Sequence, residues 1–181
     1  MNKKQINQKS VGYEGNVTLK VCKGNKVIKT IKQNNSGVGR LFHGIALGLI
    51  SGFVDDNLIN YTPKYLGVGR TQQLVNINTD YNANTLQSAE SGIMIRVKLE
   101  PNNAYNREGL GWVAPFSAIV PSSQLQTLNY QVNELGLFSS ANTDSLLARI
   151  VPTNKSGDSE PIVVEPGMDL IVQWEILIQN K

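Results

Sequence analysis

Chemistry in this 181-residue chain would have to be assembled from a small stock of reactive side chains. There is one histidine, His43, and one cysteine, Cys22. Placed side by side they would make a nucleophile and its base, but a single imidazole on a helical stretch is ordinarily a structural residue. A zinc site needs three or four nitrogen and sulfur ligands, and no second histidine or C-x-x-C run supplies them. Asp55-Asp56-Asn57 offers oxygen atoms to a hard cation, without the spacing of an EF-hand loop. Two glycine runs, Gly37-Val38-Gly39-Arg40 and Gly67-Val68-Gly69-Arg70, fall short of a dinucleotide loop because Phe42 and Gln72 hold the third glycine position. Neither ends in the G-K-[ST] of a P-loop. The first precedes a helical pattern, which permits an anion at that helix start, but both read as tight backbone turns. The chain is therefore expected to have no catalytic, cofactor or metal set, and not to be an enzyme.

Residues suited to contact are easier to find. Two apolar segments, Glu134–Phe138 and Leu146–Val151, flank a polar link, Ser139–Ser145, and spell a β-hairpin. Glu134 and Arg149 sit on its two arms. As an exposed cross-strand pair they are worth a fraction of a kcal/mol, and either is a candidate interface residue. Leu41 and Phe42, on the predicted helix, are further interface candidates. Tyr81 and Tyr105 fall in polar loops, where a core has no need of them and a receptor or glycan has.

Composition narrows the classes. The net charge is +3 and 17% of residues are charged, so much of the polar surface falls to Asn, Gln, Ser and Thr. The basic residues gather early, at Lys3, Lys4, Lys9, Lys20, Lys23, Lys26, Lys29 and Lys32. No arginine or interleaved aromatic accompanies them, so they read as lysines guarding an edge strand rather than as a nucleic-acid surface. The lone cysteine excludes an internal disulfide and suits a reducing compartment. No apolar core follows the first lysines, so a signal peptide is not expected. No stretch approaches the ~18 apolar residues of a membrane span.

The elements that must position these residues follow from periodicity. Residues 1–14 lack it and read as a flexible arm ahead of one domain, 15–181. Val17, Leu19 and Val21 alternate with polar residues in a first strand, and Lys23-Gly24-Asn25-Lys26 turns the chain into a second over Val27–Lys32. Leu41, Ile45 and Leu49 predict one short helix near residues 37–51. A strand follows over Lys64–Gly69, then one helical turn within Thr85–Glu90. Ile93, Ile95, Val97 and Leu99 mark the cleanest amphipathic strand. Further strands are predicted over Trp112–Val120, broken or bulged at Pro115, over Gln126–Val132, over Ile162–Val164 and over Leu170–Ile178. Glu165-Pro166-Gly167-Met168 has type II turn chemistry. Short antiparallel strands with one early helix predict a mainly β fold, an antiparallel, jelly-roll-like β-sandwich.

The order of these pieces is similar to that of small structural proteins of tailed-bacteriophage virions, those of the tail, collar or connector. The resemblance runs from roughly Gly15 to Ile178. It rests on the opening hairpin, Asn35-Ser36-Gly37, Leu41-Phe42, Tyr65-Leu66-Gly67-Val68-Gly69-Arg70, Thr85–Glu90, Arg96, N-E-L-G-L-F with L-L-A-R, and the closing L-I-V-Q-W-E-I-L-I. The Asn- and Lys-rich composition also resembles phages of low-GC gut bacteria, crAss-like phages included. The resemblance implies a non-enzymatic, repeated subunit in a tail, neck or connector ring. Its partners would be copies of itself and other virion proteins, with no membrane, and nucleic acid only through nearness to packaged DNA. The alternative is a head-fibre or adhesin-type module that recognises a receptor or glycan through its loops.

Overall fold

A computed structural model of the chain describes residues 11–37, 41, 45, 61–72, 76, 83–141 and 145–180. Among the described residues twelve strands are present: β1 Val11–Lys23, β2 Lys26–Gly37, β3 Tyr65–Thr71, β4 Gly92–Lys98, β5 Glu100–Pro101, β6 Tyr105–Arg107, β7 Gly111–Val120, β8 Gln131–Val132, β9 Glu134–Phe138, β10 Leu146–Ile150, β11 Ile162–Val163 and β12 Asp169–Asn180. Two short helices, α1 (Gln87–Ser91) and α2 (Ser122–Leu125), join them, and a 3-10 turn over Gln126–Leu128 continues α2.

The main hydrogen-bonded path runs β4-β3-β9-β10-β2-β1-β12-β7-β5, with β6 also on β7, and every pairing is antiparallel. It folds on itself into a β-sandwich. Sheet A is β2-β1-β12-β7 with β5 and β6, and sheet B is β4-β3-β9-β10. Two strands pass between the layers. β2 lies along β1, and its last residues, Ser36 and Gly37, reach across to Arg149 and Ala148 of β10. At the opposite corner β4 ends one sheet and β5 begins the other edge, with only Leu99, buried in the core, between them.

Alternation decides what faces inward. Val17, Leu19 and Val21 of β1, Phe116, Ala118 and Val120 of β7, and Leu170, Val172, Trp174 and Ile176 of β12 meet Leu66, Val68, Leu135, Leu137 and Ile150 of sheet B in one core. Sheet B is covered on its other face as well, where Leu86, Phe138 and Leu146 form a second, smaller cluster. Every residue of β9 and β10 is consequently buried.

Several expectations need correcting. Of the arm expected over 1–14, Val11–Glu14 belong to β1 and pair with Leu177–Asn180, and residues 1–10 lie outside the described residues. Gln126–Val132 is not one strand: Leu125 and Leu128, three apart, plug the sandwich end from α2 and the 3-10 turn. Asn129 and Tyr130 then take left-handed conformations, and only Gln131–Val132 is extended. β7 is not broken at Pro115, since its register with β12 is continuous. The Pro115 carbonyl accepts from Asn102, so its missing N–H faces the same side, the gap between β5 and β6, and no bond to β12 is lost. Gly67–Arg70 lies within β3 and makes no turn. Of the predicted helix near 37–51, Gly37 is instead the last residue of β2, while Leu41 and Ile45 are helical; Leu41 is buried, Ile45 packs against the core, and the rest lies outside the described residues.

The hairpins and the last turn are as read. β9 and β10 pair, with the Ser139 amide bonded to the Ser145 carbonyl. Gly167 has φ +81° and Met168 donates to Glu165, a type II turn. The lysines of β2 do sit on an edge: over 26–34 it has β1 on one side and no strand on the other among the described residues. The register skips Ile28 between Val27 and Lys29, a bulge that leaves Val27 and Ile28 both exposed and deters a further strand.

Candidate functional site

Three places hold side chains that sequence alone left open. The first is the hairpin pair. Glu134 and Arg149 are diagonal neighbours, since Arg149 lies opposite Gly136. Arg149 Nε donates to Glu134 Oε2 at 2.9 Å, with Nη2 at 2.9 Å from the same oxygen. The other oxygen, Oε1, accepts the backbone N–H of Ser88 at the start of α1. Arg149 Nη1 donates to the carbonyl of Asn76 at 3.0 Å, and the Asn76 amide donates to Gln87 Oε1. The pair is not exposed: Glu134 is 0% and Arg149 6% accessible. It therefore works inside the chain, fastening α1 and residue 76 onto sheet B, and presents neither side chain to a neighbour.

Around it glycines clear the floor. A Cβ on Gly69 would collide with Ser88 Oγ, and one on Gly67 with the Phe138 ring. The Arg96 guanidinium stacks over that ring, 3.0 Å from its centroid. Burial pushes the Arg96 pKa down to about 10, which still leaves it protonated at neutral pH.

The second place is the outer face of sheet A, opposite the core. Glu175 accepts from Tyr105 Oη at 2.8 Å through Oε1 and from Arg107 Nη2 at 2.8 Å through Oε2, while the same Nη2 reaches Tyr105 Oη at 2.9 Å. Register places Glu175 beside Asn16 and Asn16 beside Asn34, with Gln173, Thr18 and Lys32 in the next row. Asn16, Thr18, Lys32, Asn34, Arg107 and Glu175 border an open groove of about 340 Å³. Tyr105, expected in a loop, is on β6 and turns its hydroxyl toward this groove.

Burial raises the Glu175 carboxyl, but hydrogen bonds from Arg107 and Tyr105 and the charge of Arg107 outweigh it and hold the pKa below the usual range. A depressed carboxylate pKa adds stability that is present above the unfolded value and is lost as pH falls through the folded one. Both partners are 33% exposed, so the effect on stability is small. A carbon-detected NMR titration is expected to place the Glu175 midpoint below that of a glutamate in an unstructured peptide. A midpoint at or above the peptide value contradicts the geometry.

The third is apolar. Trp112 of β7 is 58% exposed, beside Ile178 of β12, with Leu110 in the turn ahead. Trp174, the other tryptophan, is 1% exposed in the core. The alternation that signals β7 gives no hint that its inward-facing row continues past the end of the core, so Trp112 looks like a core residue in the sequence.

Cys22 is buried, its thiol 3.9 Å from the Lys20 carbonyl. Phe42, His43, Asp55–Asn57 and Tyr81 lie outside the described residues. Among the described residues no group of three or more His, Cys, Asp or Glu could hold a metal ion, and no helix is long and apolar enough to cross a membrane. Comparison with known proteins finds no matching family model, no matching curated protein and no matching solved structure.

Proposed function

We propose that the chain is a non-enzymatic structural subunit of a tailed-bacteriophage particle, repeated in a tail, neck or connector ring. The ordered resemblance from the opening hairpin to the closing strand supports this reading. The observation that carries it is the exposed Leu110–Trp112–Ile178 ridge. A tryptophan more than half exposed beside two aliphatic side chains is surface that a free chain gains nothing by leaving wet, and tryptophan is prominent among the residues that dominate protein contacts. The ridge sits at the far end of the β1-β12-β7 ribbon, well placed for a neighbouring copy. A closed ring joins unlike surfaces on its two sides, so the ridge would meet a different patch on the next subunit.

The test is the solution mass by light scattering, paired with acrylamide quenching of the two tryptophans. A closed multimer is expected in which both are protected. Trp112→Ser should release monomers without unfolding, since a central contact residue contributes about 2 kcal/mol or more. A wild-type monomer at high concentration, with Trp112 still quenched and no partner among particle proteins, would sink the proposal.

A further inference from the structure

The groove on sheet A holds donors that the fold does not use. Lys32, Thr18 and Asn34 make no side-chain hydrogen bond or ion pair among the described residues, and Arg107 spends only Nη2, leaving Nε and Nη1 open. They face Glu175, whose carboxylate is fixed at both oxygens by Tyr105 and Arg107. We propose that this groove binds an acidic saccharide, a sugar unit carrying a carboxylate.

The chemistry of the lining selects that class. The lining itself holds two cations, Lys32 and Arg107, against one anion, Glu175, which favours an anionic group at the Lys32–Arg107 edge, while Glu14, the acceptor from Asn16 Nδ2 at 3.5 Å, adds a second carboxylate beside Asn16. Glu175 stands among those cations and disfavours a ligand whose whole surface is charged, such as a polyphosphate. A uronic acid answers both conditions, with charge at one end and hydroxyls along the rest. Its carboxylate meets Lys32 and the free edge of Arg107, where a planar fork suits a planar anion. Its hydroxyls both donate and accept. The second lone pairs of Glu175, the Asn34 amide, the Asn16 Oδ1 and the Thr18 hydroxyl match that mixed pattern. A volume of about 340 Å³ holds one or two sugar rings, near the lower end of ligand pockets. An open, mostly polar groove predicts weak binding, made useful by repetition along an assembly. The site itself requires no assembly and stands apart from the subunit reading.

The experiment is saturation-transfer NMR on the full chain with digalacturonate as probe, which reports from the ligand whatever the oligomeric state of the protein. Saturation transfer to the sugar protons is expected, with millimolar affinity that weakens as salt rises. Maltose at the same concentration should give none. Lys32→Ala, at an exposed position with no side-chain partner among the described residues, should weaken binding about fivefold while the thermal transition stays in place. Glu175→Gln should retain the attraction for carboxylate and lower the discrimination against inorganic sulfate as a competitor. Absence of transfer, equal transfer to maltose, or an affinity unchanged by Lys32→Ala would each overturn the proposal.

Discussion

Replacing Glu134 by Ala destabilises the chain by about 3–5 kcal/mol, the cost of stranding one member of a buried ion pair. The magnitude follows from where the pair sits. The same two side chains on a solvated hairpin would contribute about 0.2–1 kcal/mol, and exposure, not sequence spacing, separates the two cases. With Glu134 gone, the Arg149 guanidinium stays within a side chain 6% exposed, and the Ser88 N–H loses its acceptor in a buried site. The loss should also be local in its reach. Amide exchange at Ser88, which bonds Glu134, and at Asn76, whose carbonyl bonds Arg149, is expected to quicken before that of the β1-β12-β7 ladder. A paired apolar replacement, Glu134→Leu with Arg149→Met, should recover much of the stability, because it removes both charges together. Chemical denaturation of the three variants decides it. A loss below about 1 kcal/mol for Glu134→Ala would mean that the pair is effectively solvated.

That burial marks the boundary of what sequence could tell. N-E-L-G-L-F and L-L-A-R-I announce a hairpin because strand and turn signals are local: alternation, serines and asparagines in the link. The Pro166-Gly167 turn, the alternating β12 and the helical turn at α1 are legible for the same reason. Whether the second face of β9 is wet or covered is not local. It depends on Leu86 and Ser88 returning more than forty positions earlier in the chain to lie on Phe138 and Glu134. Residues 126–130 read as strand for another reason. Leu125 and Leu128 do carry helical spacing, and the Ser122-Ser123 pair after Pro121 is a helix start, but the period spans too few residues to outweigh the strand-like alternation of Leu128, Tyr130 and Val132. Val11–Glu14 could not be recognised as strand, because what orders them is the partner Leu177–Asn180 at the far end of the chain. The groove was invisible for a like reason. Lys32, Asn16 and Glu175 meet only through the register of β2, β1 and β12.

The glycines of sheet B give the sharpest test of that long-range packing, since local preference and tertiary contact predict opposite signs. Gly→Ala in a strand ordinarily stabilises by about 0.4–1 kcal/mol by restricting the unfolded chain. At Gly136 a Cβ would stand 2.6 Å from Leu146 Cδ1 and 2.9 Å from both Leu86 Cδ2 and Phe138 Cε2, all three in residues with no exposed surface. None can withdraw without opening the small cluster, so Gly136→Ala is expected to cost about 1–3 kcal/mol, the range for overpacking. Phe138→Ala leaves a cavity over the same floor, takes away the ring beneath Arg96, and should cost about 3–5 kcal/mol. The two effects must then be coupled. Gly67 and Gly136 are cross-strand neighbours, and a Cβ at Gly67 also meets the Phe138 ring. Shrinking the ring with Phe138→Leu should therefore make Gly67→Ala less costly than it is in the native chain. A double-mutant cycle on urea midpoints measures the relief directly, with an interaction of about 0.5 kcal/mol or more expected for groups in contact. Strict additivity would show that Phe138 does not lie on the glycine floor, and the second cluster on sheet B would have to be redrawn.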